Sequence, residues 1–255
     1  MSGASSREIL IAALARLLDG VRFVAVGAAS PIPAAACMLR RALDRAAGKP
    51  GPRLSILGSV RHNLFTNGSV ELFDVAGQGR LDAFFLGGGQ IDGRANVNLV
   101  GAGDYPRSDV RWPGSFGSAY LYFTVPRVIL FREEHTPRVF VDKVDFVSAP
   151  GVSAPGVHRP GGPVALLTSK ALFSFDKARP GFTLDSLHPG HTLDEVRAAT
   201  GFSFAHEAHP PATPAPDATT LALMRGRVLE EVSETYPAYA AQWREGILNI
   251  AKETA

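Results

Sequence analysis

Residues 84–101, FFLGGGQIDGRANVNLVG, place three consecutive glycines directly before a run of amide side chains. Glycines at the carboxyl end of a buried strand let a ligand come close to the backbone, and neighbouring amides can stabilise a carbonyl oxygen that gains negative charge. The segment VGAASP at residues 26–31 precedes a predicted helix start, where unpaired N–H groups suit phosphate, carboxylate or thioester oxygen. Tight turns without a ligand are the alternative, since the chain has 26 glycines. The residue types alone leave both interpretations open.

The patterns of several other ligand sites do not occur in the sequence. GGGQID differs from the dinucleotide fingerprint G-x-G-x-x-G, and neither a P-loop G-x-x-x-x-G-K-[ST] nor a G-x-S-x-G nucleophile turn is present. Cys37 lies in the apolar face of a predicted helix, which is typical of a core side chain rather than a reactive thiolate. The sequence therefore weighs against nicotinamide or ATP binding and against a serine or cysteine nucleophile.

Two histidine pairs have the i, i+3 spacing of some metal sites: His188 with His191, and His206 with His209. Proline and glycine separate the first pair, and the second pair lies in a proline-rich segment. Both contexts favour turns over a zinc site, so no bound metal is expected.

Composition limits the classes of partner. The chain has 255 residues and a formal net charge of +2, and its basic residues are dispersed, which predicts neither nucleic-acid nor membrane binding. The single cysteine excludes an internal disulfide, and the first 20 residues carry charges within their apolar stripe, unlike a signal peptide. We expect a cytoplasmic protein without a membrane span.

The hydrophobic pattern predicts alternating helices and strands in the first 90 residues. An amphipathic helix capped by Ser5 or Ser6 ends at Gly20, and a strand at 23–26 is followed by a helix from Ser30 to about Gly48. Strands at 53–58 and 81–89 flank a helix that starts near residue 69. This alternation indicates an α/β fold with an open, mostly parallel sheet and flanking helices.

Beyond about residue 127 the pattern changes to short strands with tight turns. Thr192 and Glu195 form a predicted capping box for a helix at 192–199. Residues 206–218 are predicted to be a Pro/Ala-rich linker to a last helix at about 219–234. We expect residues 1–255 to form one domain.

Seven sequence blocks occur in an order that resembles that of the β-type subunit of family I CoA-transferases. Within this family, glutaconate CoA-transferase is the most similar in the composition of these blocks. The blocks are VGAASPIPAA, LSILGS, GGGQIDGRANVN, GDYPRSDVRWPGSFGS, VDKVDFVSAPG, LLTSKALFSFD and SLHPGHTLDEVRAATGFSF. The resemblance covers roughly residues 8–205. It implies the open NagB/RpiA/CoA-transferase type of α/β fold, a CoA thioester as substrate, and a hetero-oligomer with an α-type subunit whose active site lies between the two chains.

The sequence departs from this family at the expected nucleophile. In such enzymes a glutamate in a short E-x-G pattern attacks the acyl-CoA carbonyl and then carries CoA as a glutamyl thioester. Aligned on Gly58, this chain has Ile56 in the glutamate position, and a shift by one residue gives Leu57, which is also apolar. The nearest downstream acid is Glu71, whose use would require a rearranged loop. Some relatives instead hydrolyse a ring or decarboxylate a CoA thioester of a diacid.

The resemblance also implies site residues, by motif position. Oxyanion and thioester contacts, the catalytic set, are expected from Gln90, Asn96, Asn98 and Gly117. Contacts to CoA are expected from Gly27, Ser30, Gly88, Gly89 and Ser115.

Three functions stay open from the sequence. The first is a β-type subunit that supports hydrolysis or decarboxylation of an acyl-CoA, with a dicarboxylic acyl group as one option. The second is CoA transfer with a glutamate from a partner chain or from Glu71. The third is a CoA-binding subunit without catalytic activity.

Overall fold

The computed structural model describes residues 3–66 and 69–253, and these form two compact units. The first unit comprises Met1–Leu72 with Pro214–Ala255, and the second comprises Phe73–Thr213. Each unit is described below by itself.

The first unit begins with two helices and two strands. They are α1 (Ser6–Leu17), β1 (Phe23–Val26), α2 (Pro31–Ala46) and β2 (Arg53–Ile56). The strands pair in parallel with Val26 opposite Ile56, so the chain leaves both strands at the same edge. The next helix, α3 (Ser69–Gly77), continues into the residue range of the second unit.

The second unit contains ten strands and two further helices among its described residues. They are β3 (Ala83–Leu86), β4 (Gln90–Ile91), β5 (Val97–Asn98), β6 (Gly101–Ala102), β7 (Val110–Arg111), α4 (Ser118–Thr124), β8 (Arg127–Arg132), β9 (Pro163–Thr168), β10 (Ala171–Asp176), β11 (Gly181–Leu187), α5 (Leu193–Ala198) and β12 (Ala205–His206).

Six strands of the second unit pair in the order β3-β8-β9-β10-β11-β12. The pairs β3–β8, β8–β9 and β11–β12 are parallel, whereas β9–β10 and β10–β11 are antiparallel. The short strands β4–β5 and β6–β7 form separate antiparallel pairs. With the parallel β1–β2 pair, these observations confirm the predicted α/β class with a mostly parallel sheet.

The C-terminal part of the first unit is more helical than the sequence predicts. After α6 (Ala218–Leu223) a π-helical segment, Met224–Val228, leads into α7 (Leu229–Thr235), and α8 (Pro237–Glu253) follows. The predicted helix at about 219–234 is present, but the prediction that it is the last one is wrong, because α8 follows it. The chain does break at Tyr236, but a proline at the first helical position suits the start of a new helix as well as the end of an old one.

The predicted helix starts agree with the structure. Ser5 caps α1, its hydroxyl accepts a hydrogen bond from the Glu8 N–H, and the Glu8 carboxylate accepts one from the Ser5 N–H. Thr192 and Glu195 form the same capping box at α5. An amphipathic α1 would bury only one face, whereas residues 8–15 are all buried. The buried surface of α1 is therefore wider than the sequence predicts.

Residues 211–213 of the proline-rich segment pair with the end of β11 in the second unit. Leu187 donates its N–H to the Pro211 carbonyl, and Thr213 donates its N–H to the Leu187 carbonyl. The Thr213 side chain is buried. None of the described helices combines the length and the apolar character that crossing a bilayer requires.

Candidate functional site

The amides that follow β3 form a buried hydrogen-bonded network. β4 and β5 pair so that Gln90 lies opposite Asn98. The Asn98 side chain is fully buried, and its Nδ2 donates to Gln90 Oε1 at 2.8 Å and to the Gly101 carbonyl at 2.7 Å. Both N–H groups of this amide are thus used within the protein.

Asp145, 55 residues further along the chain than Gln90, completes the network. Its backbone N–H donates to Gln90 Oε1 at 3.0 Å, and Gln90 Nε2 donates to its Oδ2 at 2.8 Å. The same carboxylate oxygen accepts the Gly103 N–H at 2.8 Å. Gln90 and Asn98 therefore hold the β4–β5 hairpin in place, which is a positioning role. Their predicted direct contact with a substrate stays a prediction.

Asn96 lies at the other end of the hairpin, in its turn. Asp92 accepts hydrogen bonds from the Arg94 and Asn96 backbone N–H groups and from Asn96 Nδ2, each at 3.0 Å. Asn96 Oδ1 in turn accepts the Gly151 N–H at 3.1 Å. An aspartate that bonds the backbone two residues on is a recognised turn signal, so the DGRAN sequence explains why the hairpin forms here.

The glycines before the hairpin have packing roles. A Cβ on Gly88 would lie 3.1 Å from the Gln90 carbonyl and overlap the Val97 side chain, and a Cβ on Gly89 would overlap the indole ring of Trp112. The Gly89 N–H donates to the Asn98 carbonyl at 2.9 Å. Only glycine fits these two positions without displacing a neighbour.

The second glycine loop lies before α4. Gly117 caps that helix, and a Cβ at this position would overlap the ring of Phe73. The Ser115 carbonyl accepts the Ser118 N–H at 2.8 Å. Between them Phe116 is 84% exposed at a φ of 47°, an unusual conformation for a bulky residue.

Gly27 and Ser30 belong to the first unit, in the turn from β1 to α2. The Gly27 carbonyl accepts the Tyr236 hydroxyl at 3.3 Å. Within the described part of the chain Ser30 forms no side-chain cap bond, although it occupies the cap position of α2, and Pro31 follows it. Pro31 and Pro33 have no N–H group, so in this turn the Ser30 hydroxyl and the Ile32 N–H are the donors available to an anionic ligand.

The position at which the resemblance leads us to expect the family's glutamate is also in the first unit. Ile56 is the last residue of β2 and its side chain is fully buried. Leu57 is half-buried, and Gly58 turns the chain with a φ of 88°. An apolar core side chain therefore occupies the end of β2.

Glu234 of α7 binds the loop that follows. Its carboxylate accepts the Ser59 hydroxyl at 2.7 Å and the Val60 N–H at 2.9 Å. Burial opposes ionisation, but hydrogen bonds from Thr235, Ser59 and the backbone of Val60 and Arg61 together lower the pKa of Glu234 to about 2. A carboxylate stabilised in this way is a strong anchor and a weak nucleophile.

Glu71, the alternative acid, is bonded to Thr66. The Thr66 backbone N–H and its hydroxyl both donate to the Glu71 carboxylate, the latter at 2.8 Å. Residues 67 and 68 of the TNG segment lie outside the described residues.

The remaining candidate groups have structural environments. Burial raises the pKa of the Cys37 thiol, as expected for a core cysteine. His188 is buried, whereas His206 and His209 are exposed. Among residues 3–66 and 69–253, no group of three or more histidine, cysteine or acidic side chains is arranged to hold a metal ion.

Sequence reasoning misses Asp92, Asp145, Trp112 and Phe73. Asp92 has a local signal, the Asp-Gly turn. The other three act on residues 23 to 55 positions away, and no local pattern indicates such partners.

Comparison with known proteins identifies the family. Residues 55–199 match the protein family described as coenzyme A transferase. The B-type subunit of 3-oxoadipate CoA-transferase from Pseudomonas knackmussii is 30% identical over 250 residues, which cover 88% of this chain and 94% of that relative. The B-type subunit of glutaconate CoA-transferase from Acidaminococcus fermentans is 33% identical over 100 residues, 36% of this chain and 37% of that relative.

Solved structures show the same fold. The decarboxylase AibA/AibB aligns with a TM-score of 0.72 at 25% identity, covering 87% of this chain and 93% of the matched chain. Rhodococcus jostii RHA1 IpdAB aligns with a TM-score of 0.75 at 24% identity, covering 88% and 94%. The family match over more than half of the chain, together with the relative that is 30% identical, shows that this chain belongs to the coenzyme A transferase family.

Proposed function

We propose that the chain is the B-type subunit of a two-subunit enzyme that hydrolyses or decarboxylates an acyl-CoA thioester. Its substrate class would include thioesters of dicarboxylic acids. The observation that carries this proposal is that Ile56, in the position where the resemblance leads us to expect the family's glutamate, is a fully buried apolar side chain. The expected cytoplasmic location and the A-type partner are parts of the same proposal.

CoA transfer needs a carboxylate that attacks the thioester carbonyl and forms a mixed anhydride with release of the CoA thiolate. The thiolate then attacks the glutamyl carbonyl of the anhydride, which gives the glutamyl thioester and releases the acyl group as its free carboxylate. Ile56 has no group that could act as the attacking carboxylate. Glu234 and Glu71 are bonded to Ser59 and Thr66, and such bonds stabilise the carboxylate and reduce its nucleophilicity. The acid or base for the reaction would then come from the partner subunit.

This chain's own contribution would be to bind and orient the thioester. The turn with Gly27 and Ser30 would offer the Ser30 hydroxyl and the Ile32 N–H to an anionic part of the substrate, since Pro31 and Pro33 have no N–H group. The amide network around Gln90 and Asn98 would fix the glycine backbone that precedes it, so that the oxyanion donors need no rearrangement during the reaction. The roles of Asn96, Gly88, Gly89, Ser115 and Gly117 are proposed on motif position.

CoA transfer is the second candidate. It is favoured by the relative that is 30% identical and is called a CoA-transferase subunit. In this case the glutamate would come from a partner chain or from Glu71.

A trapping experiment separates the two candidates. The chain is copurified with its A-type partner and incubated with a panel of acyl-CoA thioesters, including those of dicarboxylic acids. Borohydride reduction then converts any glutamyl thioester to a hydroxymethyl group that mass spectrometry can locate. We expect substrate consumption without such a mark on either chain, and release of the free acid or of carbon dioxide.

A mark on Glu71, on Glu234 or on a partner glutamate would refute the proposal in favour of CoA transfer. The 3-oxoadipate CoA-transferase of P. knackmussii serves as the positive control for trapping. Consumption that is lost in the Ser30→Ala variant, while the complex stays folded, would support a binding role for this chain. Absence of any turnover across the panel would favour the non-catalytic subunit.

A further inference from the structure

A cavity of about 430 Å³ in the first unit is lined by arginines and by no acidic residue. Of its ten lining residues, the polar side chains are Arg41, Arg45, Arg53, Arg61 and His62. The formal net charge of the whole chain is only +2, so four guanidinium groups around one cavity are a strong local concentration of positive charge.

The walls of this arginine pocket are held by the main chain. The C-terminal half of α2 supplies Arg41 and Arg45. The Pro-Gly-Pro turn at 50–52 packs against it, because a Cβ on Gly51 would lie only 3.1 Å from the Arg41 backbone, and Gly51 has a φ of 71°. On the other side the chain returns along β2, and the Ile56 N–H donates to the His62 carbonyl at 3.0 Å.

Within the described part of the chain, only one of the four arginines is neutralised by an acid. Arg41 forms an ion pair with Glu231, and His62 Nε2 lies 2.9 Å from the same carboxylate oxygen without hydrogen-bond geometry. Across the described residues, Arg45, Arg53 and Arg61 form no ion pair with a carboxylate. The Arg53 guanidinium lies over the Phe23 ring at 4.9 Å, which limits its motion.

His62 responds to this positive field. Burial lowers the pKa of His62, and Arg41 and Arg61 lower it further against the opposing effect of Glu231. The neutral imidazole therefore adds no charge of its own to the pocket near neutral pH.

We propose that this arginine pocket binds a phosphate-bearing anion, either a phosphate monoester or a diphosphate. Guanidinium groups present paired N–H donors that match phosphate oxygens, and a phosphate group has more charge and more acceptor oxygens than a carboxylate, so it suits a pocket lined by three arginines without an acidic partner. Phosphate oxygens can accept from all three. The proposal is independent of the proposed function, and CoA and a free phosphorylated metabolite are the two possible sources of the group.

The test uses titration calorimetry on the full chain, in its complex where one forms, with pyrophosphate as the probe. The triple variant Arg45→Ser, Arg53→Ser, Arg61→Ser removes the unpaired guanidinium groups. The matched control is Arg107→Ser, Arg227→Ser, Arg244→Ser, which changes three exposed arginines elsewhere and the same net charge. We expect the pocket variant to weaken binding at least about tenfold and the control less than about twofold.

A lysine triple variant at the same positions keeps the charge without the paired donors, so we expect an intermediate affinity, provided that circular dichroism shows all variants folded. Competition of pyrophosphate with CoA and with dephospho-CoA then identifies the source. Displacement by CoA alone assigns the pocket to its 3′-phosphate, displacement by both assigns it to the diphosphate, and displacement by neither indicates another phosphorylated metabolite.

The proposal would be overturned if the unchanged protein and the serine variant bound pyrophosphate equally well. It would also be overturned if the unchanged, folded protein bound no pyrophosphate. The proposal also fails if the serine variant loses assembly with the partner chain while pyrophosphate binding is unchanged. These outcomes do not bear on the trapping experiment, so the two proposals can fail separately.

Discussion

The chain leaves β2 and β3 through two loops that are fixed in different ways. After β2, in the first unit, an apolar side chain ends the strand and the loop is bound by the ionised carboxylate of Glu234. After β3, in the second unit, the loop is bound by the neutral amides of Gln90 and Asn98. The first loop thus depends on one charged side chain, whereas the second depends on glycines that fit closely and on buried amides that bond to one another. In the second loop the glycine and amide pattern therefore serves the architecture of the hairpin, whatever group acts in catalysis.

The ionised Glu234 of the first unit and the neutral histidines of the second unit should respond differently to acid. The loss of stability on protonation of these histidines is the largest effect we predict. Burial lowers the pKa values of His135 and His188, both in the second unit, to about 4, and Lys170 and His191 contribute to the lower value of His135. Both rings lie in a buried hydroxyl network. His135 Nδ1 is 2.8 Å from the Thr168 hydroxyl, and His188 Nδ1 is 2.8 Å from that of Thr213.

Because the folded-state pKa lies below the unfolded value of 6.5, the unfolded chain binds more protons as the pH falls. The contribution of each neutral histidine to the free energy of unfolding is fully present above about pH 6.5. It is lost progressively as the pH falls to about 4, and the loss is about 3 kcal/mol for each histidine. Glu234 has its pKa lowered from 4.5 to about 2, so its contribution is kept above pH 4.5 and is lost only as the pH falls through about 2. Urea unfolding at several pH values between 7 and 4, monitored by circular dichroism, measures the loss in free energy of unfolding that the two histidines cause.

His135→Gln should remove about half of this pH dependence, and the double variant His135→Gln, His188→Gln should remove most of it. An unfolding free energy that stays constant between about pH 6.5 and pH 4 would contradict the neutral, buried state of the two rings.

The second prediction breaks the amide network itself. Asn98→Ala removes two donors and an acceptor from a fully buried site, so the Gly101 carbonyl and the Val100 N–H each lose a hydrogen bond and Gln90 keeps only its bonds with Asp145. We expect the free energy of unfolding to fall by about 2–4 kcal/mol. Asn249→Ala on an exposed face of α8 is the control and should change it by less than about 0.5 kcal/mol.

A double-mutant cycle with Gln90→Ala should show a coupling of about 1 kcal/mol, because the two side chains share a hydrogen bond. Additive effects would mean that the network does not act as a unit.

The third prediction concerns the glycine before the network. Gly89→Ala would force the Trp112 ring to move, and we expect a loss of about 1–3 kcal/mol together with a change in tryptophan emission. Gly246→Ala in α8, where no atom obstructs a Cβ, should be neutral or stabilising. Unchanged emission in Gly89→Ala would show that the packing of Trp112 is not the reason why position 89 is a glycine.

The smallest effect is predicted at the loop after β2. Glu234→Gln keeps the shape of the side chain but removes its charge, so the hydrogen bonds from Ser59 and the Val60 N–H weaken. We expect a loss of about 1 kcal/mol. The neighbouring exposed Glu230→Gln is the matched control. If both variants unfold at the same urea concentration, the charge of Glu234 does not anchor the loop.

Local signals explain which features the sequence can predict. The capping box of Thr192 and Glu195 lies within one helical turn, and the strand–glycine–helix pattern around Gly27 repeats along the chain, so both are visible in a short window. The partners of Gln90 and Gly117 are not, since Asp145 and Phe73 are brought near by tertiary packing. The long helix α8 escapes sequence reasoning because a proline can end one helix or begin the next, and only packing decides between them.

The burial of Ile56 limits what an acidic residue could do at this position. A glutamate introduced at this position would replace a fully buried hydrocarbon side chain, and its carboxylate would lose hydration before it could meet a substrate. Neighbouring side chains would have to change as well to open the site. A single Ile56→Glu substitution would therefore produce a buried carboxyl group at the end of β2 rather than a reactive one.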